Sequence, residues 1–93
     1  MATTTRIWPG PAKAAADITR QIEQLRLLSK RGFENTNDLW RVFPLLTDNE
    51  IREKFYIHIS VPFEKVRIPI IITLIKRQIA LLQQELKWLL NAS

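Results

Sequence analysis

The chain has 93 residues, with 14 Lys and Arg against 9 Asp and Glu, one His and no Cys. That length suits one small domain and is too short for two, and the lack of cysteine excludes disulfides, thiolate nucleophiles and cysteine metal sites. The net charge of +5 suits an acidic partner, whether nucleic acid, an anionic membrane surface or an acidic protein.

Residues 1–11 read as a flexible N-terminal arm. Thr3, Thr4 and Thr5 give no helical pattern, and the stretch Trp8-Pro9-Gly10-Pro11 forces an extended or turning backbone. Residues 12–93 read as a single helical domain. The first twenty residues hold no apolar run of the secretory kind, so no export signal is expected. The start is free of acid before Asp17 and carries Arg6 and Lys13, a composition with something of an organelle transit peptide. Two prolines and only two basic residues argue against it. The expected compartment is the cytoplasm, with organelle import as the alternative.

From Ala12 to about Arg31, Ala15, Ile18, Ile22, Leu25 and Leu28 recur at steps of three and four, which is one stripe of an amphipathic helix. Gly32 is a natural stop, and Lys30 with Arg31 favour the negative end of the helix dipole. Asn35, Thr36, Asn37 and Asp38 are cap residues for a short helix through Asp38–Phe43. Pro44 should hold Phe43 extended and end that helix. Thr47 and Glu50 then have the spacing of a capping box, with Thr47 as N-cap.

The next segment reads two ways. Phe55–Val61 alternates apolar and polar residues as a strand does. As a helix the same residues place Ile51, Phe55 and Ile59 on one face, with Glu50 and Lys54 as an i,i+4 pair. The cap and the charged first turn favour helix. The strand alternative would pair with 66–75 and give an α+β domain with a hairpin at about 54–75.

The most apolar stretch, 67–90, is settled by its period. Its longest uncharged run, Ile68–Ile75, is eight residues between Arg67 and Lys76, against about twenty for a bilayer span. No transmembrane segment is expected. Ile68, Ile72, Ile75, Ile79, Leu82, Leu86 and Leu89 follow steps of 4, 3, 4, 3, 4, 3, an unbroken heptad seam. A long helix over roughly 66–91 follows, with more than one side buried. The fold class is therefore all-α: a small three- or four-helix bundle with a long C-terminal amphipathic helix.

Little here carries chemistry. His58 is the sole histidine, so a common structural zinc site cannot be assembled. It is the one candidate base for a Ser or Thr nucleophile, and Ser60 two residues away is not an elbow motif. The carboxylates are scattered, and Gly10 and Gly32 are the only glycines, which rules out a phosphate loop or a dinucleotide fingerprint. No catalytic residue, metal or cofactor is expected.

The sequence points instead to a non-catalytic interaction or assembly module that binds protein, or a second copy of itself, through an apolar helix face. Ile72, Ile75, Ile79, Leu82, Leu86 and Leu89 are the candidates for that interface or for core, with Trp8 as an accessory anchor. Trp40 and Trp88 are expected in the core. The alternative is a small basic nucleic-acid binder using Arg67, Lys76, Arg77 and Lys87 on phosphates. Peripheral membrane contact is the weakest reading, because no face is cleanly basic opposite Trp, Phe and Leu.

Overall fold

The computed structural model describes residues 11–92, and within them lie four α-helices, two 3-10 turns and no strand. The arm expected over residues 1–11, with Trp8, falls outside them except for Pro11, which opens the first helix.

Helix α1 spans Pro11–Arg31. Proline at a first helical position forgoes only an N–H that has no intrahelical partner. Ala15, Ile18, Ile22 and Leu25 lie on one face and are all buried. The opposite face is charged, with Asp17 within 3.6 Å of Lys13 and 3.3 Å of Arg20. Gly32 ends the helix at φ 83°, in the left-handed region where a side chain is strained. Phe33 turns straight back into the core.

Helix α2 spans Thr36–Val42 and is capped reciprocally. Asn35 Oδ1 accepts the Asp38 N–H at 3.2 Å, and Asp38 Oδ2 accepts the N–H groups of Glu34 and Asn35 at 2.7 and 3.3 Å. Pro44 does not end the run. Phe43 is helical (φ −51°, ψ −46°) and the chain continues as a 3-10 turn over Phe43–Leu45. Pro44 sits in the first turn of that element, where its fixed φ fits and its missing N–H costs nothing. The extended residue is Leu46 (φ −83°, ψ 131°).

Helix α3 spans Asn49–Ile59, which removes the strand and the α+β hairpin at 54–75. Ile51, Phe55 and Ile59 are buried at four-residue steps, while Tyr56 and Ile57 face out. The N-cap is Asp48 rather than Thr47: Asp48 Oδ2 accepts the Ile51 N–H at 3.0 Å. Arg52 fastens α3 to the preceding turn, donating to the carbonyls of Leu46 (2.8 Å) and Phe43 (3.4 Å). Its guanidinium also lies 4.3 Å from the Phe43 ring centroid.

A second 3-10 turn, Lys65–Arg67, leads into helix α4, Ile68–Ala92. Ile68 is helical although Pro69 follows (φ −54°, ψ −43°), so the first turn again absorbs the proline. α1 lies along α4, and α3 packs on α4 from another side, with α2 bridging α1 and α3. The shared core holds Leu25, Leu39, Val42, Leu46, Ile51, Phe55, Ile71 and Ile75, all essentially inaccessible to water. Each large side chain buried this way contributes about 1.5–3 kcal/mol of transfer free energy, which is what keeps the β-branched start of α4 helical.

Candidate interaction surface

The heptad seam of α4 is divided by the fold. Ile75 and Leu82 are buried, while Ile68, Ile72, Ile79, Leu86 and Leu89 are partly buried against the core. The stripe at the centre of the packing is Ile71, Leu74, Ile75, Gln78 and Leu82. At about 100° per residue it lies on the order of 50° round the helix from the seam. One edge of the seam therefore remains open.

Gln78 occupies the middle of the buried stripe and is itself fully buried. Its Oε1 accepts the N–H groups of Thr47 (3.0 Å) and Asp48 (3.1 Å), and its Nε2 donates to Thr47 Oγ1 at 2.8 Å. A buried amide is tolerated only when bonded in this way. It locks the residues entering α3 against α4, and explains why the Thr47 hydroxyl is not free to cap.

On the open edge, Ile72, Ile79 and Gln83 of α4 face Arg26, Ser29 and Lys30 of α1, with Lys76 between the two isoleucines. Together they line a groove of about 540 Å³. The Ser29 hydroxyl is shielded from solvent there and makes no hydrogen bond. Neither Arg26, Lys30 nor Lys76 is in an ion pair among the described residues.

The opposite flank of α4 carries a second depression of about 510 Å³, where Leu81, Glu85 and Trp88 continue past Thr47 and Asp48 at the start of α3. Trp88 is not core: it is 79% exposed, and Leu81 is 43% exposed. α3 begins level with Gln78, so nothing among α2 and α3 reaches the last turns of α4 on this side. Trp40 is likewise half-exposed at 45%, held edge-on against Phe43 and Tyr56 at centroid distances of 5.7 and 6.3 Å.

The four basic residues proposed for phosphate contacts do not share a face. Arg67 donates to the Pro62 carbonyl (2.8 Å) and the Glu64 carboxylate (2.9 Å), stitching the loop before α4. Arg77 stands 3.9 Å from Glu50 of α3. Lys76 lines the groove beside α1, and Lys87, eleven residues on, falls on that same side of α4.

His58 is half-buried near the end of α3, with Nδ1 shielded and unbonded. Burial lowers its pKa from the ordinary 6.5, and the positive charge of Arg67 lowers it further. Among the described residues no cluster of His, Asp and Glu could hold a metal ion, and no helix is long and apolar enough to cross a membrane.

Sequence reasoning missed Arg26, Ser29, Lys30 and Gln78. For Gln78 a signal existed, since Ile71, Ile75, Gln78 and Leu82 also run at steps of 4, 3 and 4. For the α1 residues it did not, because only the pairing of α1 with α4 brings them to the seam. Compared with protein-family models, curated proteins and solved structures, the chain matches none.

Proposed function

We propose that this chain is a non-catalytic protein-interaction module that docks a partner along the open edge of α4. The observation that carries the reading is the groove between α1 and α4. A soluble helix normally turns its apolar stripe inward, yet here Ile72 and Ile79 floor a concave channel with polar residues around it. Channels of that shape, apolar within and charged at the rim, are what amphipathic helices occupy. Trp88 and Leu81 add exposed apolar surface on the other flank of the same helix.

The test is the size of the tagged chain in extracts of the cells that make it, compared with an Ile72→Asp/Ile79→Asp variant. Both isoleucines are only partly buried, and a circular dichroism melt checks that the variant still folds. The expected result is that the wild-type chain migrates in an assembly well above its own 10.9 kDa, and that the folded variant migrates alone. A wild-type chain that migrates alone, or a variant that stays in the assembly, overturns the docking role.

A further inference from the structure

Given the docking role proposed above, we infer that the segment accepted by the groove is an acidic amphipathic helix of another protein, its apolar stripe flanked on both sides by carboxylates. Ile72 and Ile79 lie one heptad apart, about 10.5 Å along α4, and present the floor. Arg26 and Lys30 stand one turn apart on the α1 wall, and Lys76 stands on the α4 wall. Lys87 extends that second wall roughly three turns further. A third helix laid between α1 and α4 thus meets apolar surface below and cations on either side.

These cations are held differently from most of the others. Lys13, Arg20, Arg41, Lys54, Arg67 and Arg77 each have a carboxylate of their own within ion-pair distance. Arg26, Lys30, Lys76 and Lys87 have none among the described residues, and Glu23, three residues before Arg26, does not pair with it. The shielded Ser29 hydroxyl is a further polar group the chain leaves unsatisfied beside the floor. Like charges set along an apolar channel raise the free energy of the unbound protein and are relieved by an anionic occupant.

Other occupants fit less well. A second copy of a chain of net charge +5, seated groove to groove across a two-fold axis, would bring the cluster of Arg26, Lys30 and Lys76 up to the same cluster of the other copy. Nucleic acid would gain from the cations, but would lay its phosphates over Ile72 and Ile79. A membrane surface rewards a convex apolar face, and this one is recessed between two helices.

The experiment uses the full chain and a labelled 21-residue peptide of three heptads, with Leu at a and d and Glu at e and g. Repulsion between those Glu residues keeps the peptide from pairing with itself. Binding is read by fluorescence anisotropy beside a counterpart with Lys at e and g. The Glu peptide should bind at least about tenfold more tightly than the Lys peptide, and the preference should shrink as salt rises from about 50 to about 500 mM. An Arg26→Glu/Lys30→Glu/Lys76→Glu variant changes only surface side chains, and its melt is checked first. It should reverse the preference and favour the Lys peptide.

Equal binding of the two peptides, binding of neither, or an unreversed preference in the triple variant overturns the inference. So does a short DNA duplex or a phosphatidylserine vesicle that binds more tightly than the Glu peptide and is lost in the same variant. These failures differ from failure of the docking role. In that case the Ile72→Asp/Ile79→Asp chain stays in its cellular assembly whatever the peptides do.

Discussion

Replacing Gln78 with leucine isolates the polar lock between α3 and α4. The two side chains are close in volume, so the packing around position 78 is kept while three hydrogen bonds are lost: two at Oε1 from Thr47 and Asp48, and one from Nε2 to Thr47 Oγ1. The two N–H groups would then face a methyl group. An orphaned donor costs about 1–3 kcal/mol, toward the lower end where water can reach it, as it can at exposed Thr47. The net loss should be about 2–4 kcal/mol, a large part of the roughly 5–15 kcal/mol that holds a domain together. At this chain length that lowers Tm by on the order of 10–20 °C.

Gln78→Glu should behave differently. Its carboxylate can accept both N–H groups, but burial without a cation raises its pKa in the folded state above the unfolded value. Its defect should be largest at neutral pH and shrink as pH falls through that raised pKa. Urea unfolding followed by circular dichroism at pH 7 and pH 5 measures both variants. A leucine variant within about 0.5 kcal/mol of wild type would refute the reasoning.

Further outcomes follow from particular contacts. Asp48→Ala removes the cap on the Ile51 N–H and should cost about 1 kcal/mol, whereas Thr47→Val should act through Gln78 and add little to Gln78→Leu in a double-mutant cycle. Ile75→Ala, at a fully buried position, should cost about 2–5 kcal/mol in the same urea assay. Trp88→Ala, at a side chain largely in water, should stay within about 0.5 kcal/mol of wild type. Because the folded pKa of His58 lies below the ordinary 6.5, the unfolded chain takes up that proton first. Its contribution is complete above about pH 6.5 and declines as pH falls toward the lowered value. Thermal melts from pH 8 to pH 5 should therefore show a shallower decline for His58→Gln.

Much of this architecture is written in local pattern. The three- and four-residue steps of Ala15, Ile18, Ile22 and Leu25 match the buried face of α1, and Gly32 ends that helix as its lack of a Cβ allows. Helix propensity and capping decided α3 against its strand-like alternation. Two features were not legible, for one reason. α4 carries apolar residues round most of its circumference, so its sequence shows that it must be buried without showing which third of it faces inward. That is fixed by where α1 and α3 come to lie, which rotated the buried stripe onto Gln78 and left the Ile72–Ile79 edge outside. The same geometry put Trp88 in water, since α3 starts beside Gln78 and reaches no further along α4. Pro44 misled for a related cause: it fell in a first turn, where a proline starts a helix as readily as it ends one.

α4 is divided between an inner edge closed by the chain's own helices and an outer edge that we propose takes another protein. The absolute mass of the purified full chain, by light scattering during gel filtration at low and high salt, tests this most directly. A mass of 10.9 kDa under both conditions is the expected result, because the core is complete within one chain and the cations around the groove oppose self-pairing. A dimer that persists at both salt concentrations and is lost in the Ile72→Asp/Ile79→Asp variant would contradict it, since the Ile72–Ile79 edge would then already be filled by a second copy.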